Sequence, residues 1–259
     1  MTQQSLPSKV SEWLHKTGLP LEIAAASAFK QQNFEVTHSA VYADPQLDKG
    51  REIDVVAYAR DGTGLLQGYA VIECKASPNP WVVLVSSSPS GNTYSSLGLT
   101  TQKTREALSA EALSTRHSLG SALQTLHVNG YGLRQAFCKD NDPAYAACIS
   151  VMKAAKAQLE ESHSKTERYK FVIPVIVVDA PIFECMVADD GELRLREVDC
   201  TSLNFTAYIP DRLSCTVRVV HKDALSFLAR QIKRISDETF LSLQYKVDEW
   251  VQSLRKTDT

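Results

Sequence analysis

The sequence has no Cys-x-x-Cys pair. Its six cysteines stand apart at 74, 138, 148, 185, 200 and 215, so zinc ribbons and thioredoxin-like motifs find no support. It has no apolar run long enough to span a bilayer, the longest being FVIPVIVV at 171–178. No two of the histidines at 15, 38, 117, 127, 163 and 221 fall four apart, which leaves a helical histidine metal pair unsupported. A glycine-rich phosphate loop followed by Lys-Ser/Thr is missing, which argues against a nucleotide triphosphatase, and Ser86-Ser87-Ser88 lacks the surroundings of a nucleophile elbow. Neither charge sign dominates: 28 basic against 30 acidic side chains leave a net charge of −2. That excludes a polybasic tail protein but leaves room for a local basic groove. No secretory leader pattern opens the chain, so reduced thiols and a cytoplasmic location are expected.

What is present is a globular composition, 44% hydrophobic over 259 residues, enough for a sizeable core. A first helix is expected from Ser5 to Thr17, with Pro7 in its first turn, a Val10–Trp13–Leu14 stripe and Gly18 beyond its end. A second runs from Pro20 to about Gln32, with Glu22 near its start. Three alternating segments follow. Residues 34–43 would turn Phe34, Val36, His38, Ala40 and Tyr42 to one side. Residues 51–60 would set Ile53, Val55, Ala57 and Ala59 against Asp54, Val56 and Tyr58, and 68–76 would set Ala70, Ile72 and Cys74 against Tyr69, Val71, Glu73 and Lys75. Asp61-Gly62-Thr63-Gly64 marks a hairpin, making the last two strands antiparallel neighbours. A strand at 81–85 and a Ser/Gly-rich loop from Ser86 to about Gly98 come next.

Helices are expected over 101–126 and after Asp142, where Pro143 takes the first helical position and Tyr145, Ile149, Met152 and Leu159 share a face. The 171–178 run is apolar on both faces and reads as a buried strand. A hairpin through Asp189-Asp190-Gly191, a strand at 214–220 and helices at about 222–236 and 238–255 close the chain. The expected fold class is α/β (α+β): one domain over 1–259, a mixed sheet flanked by helices. Its core would be 20–85 and 171–220, its helical insertion 101–165 and its closing helices 222–255.

The chemistry concentrates on Asp54, Glu73 and Lys75. Residues two apart on a strand share a face, so Glu73 and Lys75 project together, and the hairpin brings Asp54 across from them. Two carboxylates on an apolar sheet repel one another unless a divalent cation joins them. An all-oxygen donor set suits Mg²⁺ or Mn²⁺. A solvated Glu–Lys charge ladder is the plainer account of an isolated Glu-x-Lys. Asp179, at the end of an apolar strand, reads as a cap for the turn at Ala180-Pro181 sooner than as a site residue.

The order of a helix with Glu22, a strand, a turn, a strand with Asp54, a hairpin and then Glu73-Cys74-Lys75 changes that balance. In LEIAAASAFKQQNFEV, GREIDVVAYA and YAVIECKAS the chain resembles the PD-(D/E)xK superfamily of restriction-endonuclease-like nucleases, most of all its Mrr-type and other bacterial branches. The resemblance covers about 20–85, with a looser similarity at 171–199, and departs from the pattern in having Ile53 rather than Pro before Asp54. It implies a restriction-endonuclease-like sheet with metal bound by Asp54, Glu73 and the Cys74 backbone carbonyl, and Lys75 handling the attacking water. Glu22 would hold a second metal or a metal-bound water, although an acid in a helix's first turn also serves the helix dipole. Tyr69 and the pair Gln102 and Lys103 are lesser candidates for flanking the site.

The expected function is therefore a Mg²⁺- or Mn²⁺-dependent endonuclease, a hydrolase acting on DNA phosphodiesters, with a prokaryotic defence role as its setting. The alternatives are an inactive nuclease-like binding module in a larger complex, or a nuclease acting on RNA. DNA would be contacted through its phosphate backbone, and a homodimer or a partner subunit would supply targeting, since no helix-turn-helix or zinc finger is evident. No membrane partner is expected. The most basic stretch is 101–170, at net +3, with Lys103, Arg105, Arg116, Arg134, Lys139, Lys153, Lys156, Lys165, Arg168 and Lys170.

Overall fold

The computed structural model describes residues 5–47, 49–86, 97–114, 119, 130–138, 142–161, 167–188 and 190–257. Helices α1 (Leu6–His15) and α2 (Leu19–Lys30) lead into strands β1 (Glu35–Ala43), β2 (Gly50–Arg60), β3 (Leu66–Lys75) and β4 (Trp81–Val85). Then come β5 (Leu99–Thr100), α3 (Gln102–Ser114), β6 (Gly130–Gln135) and α4 (Pro143–Glu160). Strands β7 (Tyr169–Val178), β8 (Ile182–Val187), β9 (Leu193–Val198), β10 (Cys200–Ile209) and β11 (Asp211–His221) follow, and helices α5 (Leu225–Ser242) and α6 (Gln244–Thr257) end the chain. The fold is mixed α/β, with a large mixed sheet flanked by helices. No helix among the described residues is long and apolar enough to cross a membrane.

Among the described residues all eleven strands join one sheet, in the order β1-β2-β3-β7-β11-β10-β6-β4-β8-β9 with β5 on β7. The β2–β3 hairpin forms as expected: Asp61 accepts the amides of Thr63 and Leu66, and Gly64 takes φ +73°, which a residue without Cβ adopts at no steric cost. β7 lies parallel to β3 and to β11, so it is central and buried along its whole length. One face of the sheet packs on α2, α5 and α6 through Leu21, Ala25, Phe29, Leu228, Ile232 and Val247. The other packs on α4, whose Asp142 cap accepts the Ala144 amide and whose Pro143 opens the helix as anticipated.

Several expectations need correction. The 101–165 insertion is not wholly helical: it contributes β6, which carries the sheet from β10 to β4. Glycines 130 and 132 weaken any strand signal there, yet Gly130 is needed because a Cβ would meet the Ser202 carbonyl at 2.6 Å. Strand β10 was not anticipated either; its polar Thr201, Ser202 and Asn204 interrupt the apolar pattern. The break between the closing helices falls at Leu243. Of the stripe expected on α4, Met152 is buried and Ile149 and Leu159 pack against the core, but Tyr145 is exposed; most of the packed face is built from Ala144, Ala147, Cys148, Val151 and Ala155, small residues that bring helix and sheet close. The α1 stripe is likewise uncovered, with no residue of that helix buried. Residues 87–96, most of the Ser/Gly-rich loop, lie outside the described residues.

One buried ion pair fixes α4 to the β1–β2 end of the sheet. Asp44, just after β1, is buried and accepts Lys153 Nζ on both carboxylate oxygens at 3.0 Å, with Arg51 Nε as a further donor. Burial alone would raise the Asp44 pKa. The Gln46 amide, Lys153 and Arg51 outweigh it and hold the carboxyl at about 2. The pair's stability is therefore complete above the ordinary aspartate range and lost as pH falls through about 2. Asp44→Ala leaves Lys153 buried without its carboxylate, and should cost about 3–5 kcal/mol in urea unfolding. The double variant Asp44→Ala/Lys153→Met should lose clearly less than the sum of the single losses.

Candidate active site

The ladder between β2 and β3 runs from Arg60↔Gln67 to Val55↔Ile72 and stops there. Beyond it β2 stays paired with β1 as far as Gly50↔Ala43, and β3 stays paired with β7 as far as Lys75↔Val178. Each strand is held on its outer side while the inner seam opens, which makes a fork. Asp54, Glu73, Cys74 and Lys75 are the residues at its mouth.

A local backbone break accompanies the opening. The β1–β2 register omits Ser39 and Asp54 while keeping step on both sides, through His38↔Val55 and Ala40↔Ile53. Ser39 has φ +48°, in the left-handed region. The expected alternation fails here. Val36, Val55 and Ala57 pack in the α2-side core, whereas Ala40, Tyr42, Ile53 and Val56 pack in the α4-side core. Asp54 sits at the point where the phase changes, and its Oδ2 accepts the Cys74 amide at 2.6 Å, taking the place of a lost ladder partner.

Glu73 is buried, with its side chain on the α4 side of the sheet. Its Oε1 accepts Lys75 Nζ at 2.5 Å and its Oε2 accepts Ser150 Oγ, from α4, at 3.0 Å. Lys75 is half-exposed, so its ammonium is both tied to Glu73 and open to the fork. Burial raises the Glu73 carboxyl above the ordinary range, with Asp54 adding to the rise and Lys75 and Ser150 opposing it. Burial also raises Asp54, against the Cys74 amide and Lys75. Glu22, in the first turn of α2, is raised by burial and then by Asp54, Glu52 and Glu73, so it lies within electrostatic reach of the fork. The Cys74 thiol is pushed far up by burial and by the same acids, which leaves only its backbone carbonyl as a donor.

Two of these groups were missed by sequence reasoning. Glu52 is two positions before Asp54, and its charge acts on both Asp54 and Glu22; its place on the same strand was a usable signal. Ser150 is 77 positions from Glu73 and gave none. The lesser candidates go elsewhere: Tyr69, Gln102 and Lys103 line a separate cavity towards the start of β3. Asp179 accepts the Ser77 amide at 2.9 Å, tying the ends of β3 and β7 rather than capping the Ala180–Pro181 turn. Of the basic residues in 101–170, Lys153 is buried on Asp44, Lys156 pairs with Glu160 and Arg134 pairs with Asp142; Arg116, Lys139 and Lys165 lie outside the described residues.

Oxygen donors from two desolvated carboxylates, one of them raised by the other's charge, fit a small divalent cation, which would remove the repulsion. Among the described residues, no three His, Cys, Asp or Glu side chains stand close enough to hold an ion by themselves. The donors on hand are therefore Asp54, Glu73 and the Cys74 carbonyl, with Glu22 near but not gathered in. No family model, curated protein or solved structure matches the chain.

If desolvation sets these carboxyls, Asp54→Asn should raise the Tm at pH 7 without metal. The wild-type Asp54 pKa is raised, so its charged form costs stability as pH climbs through that value. The advantage of the variant should accordingly shrink as pH is lowered into the carboxylate range.

Proposed function

We propose that the protein is a metal-dependent phosphodiesterase of the restriction-endonuclease-like class, cleaving DNA at the β2–β3 fork. The observation that supports this most is the meeting of Asp54, Glu73 and Lys75 where two strands part beside the parallel strand β7. The order α2, β1, β2, β3 is also the order in which the resemblance places its helix and hairpin strands, and β7, reached after β4, β5, α3, β6 and α4, stands where it places a later core strand.

In this mechanism Asp54, Glu73 and the Cys74 carbonyl would hold Mg²⁺ or Mn²⁺. The ion would supply Lewis-acid charge against the negative charge that builds on the phosphate oxygens during hydrolysis. Asp54 is kept in place by the Cys74 amide, and Glu73 by Ser150, so neither carboxylate has to be ordered when substrate arrives. Lys75 provides the only ammonium at the fork mouth among the residues gathered there. Its half-exposed Nζ can leave Glu73 to donate to a phosphate oxygen or to orient the hydrolytic water. Glu22 adds negative potential that favours cation entry.

Purified protein should nick or degrade plasmid with Mg²⁺ or Mn²⁺ and stop with EDTA. Lys75→Ala should lower the cleavage rate by about 10²–10³-fold, the scale for losing one transition-state donor, without changing the unfolding midpoint by much. Full activity in that variant would refute the mechanism.

The closure of Lys75 onto Glu73 also suits a second reading, a nuclease-like module that binds without cutting. Mn²⁺ separates the two. At about 100 times its Kd the ion should stabilise a working site by about 2.7 kcal/mol, and a module lacking one by nothing. Digestion of RNA alongside DNA identifies the substrate.

A further inference from the structure

Towards the start of β3, at the other end of the strand from the fork, lies a cavity of about 670 Å³, within the range of small-molecule sites. Glu73 is four residues further along β3 than Tyr69, or about 13 Å at strand rise, and α4 runs between the two places. The cavity is therefore a different site from the one that holds Asp54 and Glu73. One wall is a stacked aromatic pair, Tyr58 and Tyr69, with ring centroids 4.7 Å apart and planes 22° from parallel. Behind it Gln67 is buried, its Oε1 accepting the Tyr69 hydroxyl at 3.1 Å and its Nε2 donating to the Gly64 carbonyl, which fixes the rings.

The opposite chemistry is cationic. Lys170 is buried at the cavity, where its ammonium donates to the Glu161 carbonyl, and Arg168 is half-buried close enough to act on Lys170 and on both tyrosine hydroxyls. Two cationic groups thus share one wall, with the Glu161 carboxylate offsetting part of the Lys170 charge. The start of α3 faces the same cavity, where Thr101 donates its amide to the Lys170 carbonyl and caps the Thr104 amide with its hydroxyl, leaving the positive end of the helix dipole toward the cavity. Four glutamates also line the cavity, but three are engaged by neighbours. Glu106 accepts from Gln102, Glu160 pairs with Lys156 and Glu161 accepts from Gln158, while Glu167 stands on the exposed side. A ligand with a flat ring for the tyrosines and an anionic group for Arg168 and Lys170 satisfies both walls, the anion competing with Glu161 for Lys170.

We propose that this cavity binds a nucleoside monophosphate unit, its base against the Tyr58–Tyr69 stack and its phosphate between Arg168, Lys170 and the start of α3. The unit can be a free nucleotide or the 5′-phosphorylated end of a strand, which present the same chemistry. The site does not depend on the fork being catalytic.

Calorimetric titration of the full chain with each of the four 2′-deoxynucleoside 5′-monophosphates tests it. At least one should bind saturably, with the matching nucleoside and inorganic phosphate each about tenfold weaker or worse. Arg168→Gln and, separately, Tyr69→Leu should each weaken binding by about tenfold, with thermal melts verifying that both variants are folded. Asp54→Asn should bind as the wild type does, which separates failure here from failure of the nuclease reading. A 5′-phosphorylated hexanucleotide that displaces the mononucleotide marks a strand end as the ligand; one that does not marks the free nucleotide. Absence of saturable binding at about 1 mM overturns the proposal. So does a nucleoside binding as tightly as its monophosphate, or an unaltered affinity in a folded Arg168→Gln protein.

Discussion

Where two neighbouring strands lose their shared ladder, each loses a row of backbone partners, and a buried strand cannot leave them unpaired. Past Val55 and Ile72 the chain meets this constraint without closing the gap. β2 keeps its bonds to β1, β3 keeps its bonds to β7, and the Asp54 carboxylate takes the Cys74 amide. The acid is thus part of the sheet's hydrogen bonding as well as a member of the candidate site. That dual use explains how a desolvated carboxylate persists at the head of an apolar strand: its cost is offset by a backbone donor that would otherwise lack a partner.

The second constraint is α4. A helix faced with alanine lies close to the sheet but has little shape to fix its position along it. The polar groups on its other side supply that position. Lys153 reaches Asp44 at the β1–β2 turn, and Ser150, one turn earlier, reaches Glu73 on β3. Buried ion pairs give little net stability against apolar replacements, and their better-attested use is to select one arrangement among similar ones. Here the arrangement selected sets the hydroxyl against the buried carboxylate. Placement of Glu73 therefore depends on a pair lodged between a different strand and the same helix.

Much of this frame was legible in the residues. Asp61-Gly62-Thr63-Gly64 gave the hairpin, the apolar run at 171–178 gave the central strand, and Asp142-Pro143 gave the start of α4. Lys75 reaches Glu73, and Asp54 reaches the Cys74 amide between them, because strand periodicity and one hairpin suffice for both contacts. What escaped was set by tertiary context. β6 and β10 are strands through their neighbours, despite glycines in one and polar residues in the other. The phase change at Ser39 and Asp54 inverts an alternation that the sequence alone continues smoothly, because a left-handed serine leaves no mark in the hydrophobic pattern. Ser150 and the Asp44–Lys153 pair join segments far apart in the chain, and no local rule reaches that distance.

The charges also bear on how a polyanion could approach. Glu22, Glu52, Asp54 and Glu73 surround the fork, and the one ammonium among them is already on Glu73. The basic excess of residues 101–170 is partly spent elsewhere: Lys153 on Asp44, Lys156 on Glu160, Arg134 on Asp142, and Lys170 in the second cavity. A phosphodiester nearing the bare fork would meet net negative potential at close range, where screening is weakest. Under the nuclease reading, a divalent cation is then required for binding as well as for chemistry. A cation held by Asp54 and Glu73 would reverse the local sign and compete with Lys75 for Glu73. Metal and substrate would accordingly bind in an ordered and mutually favourable way, because each relieves the repulsion that opposes the other.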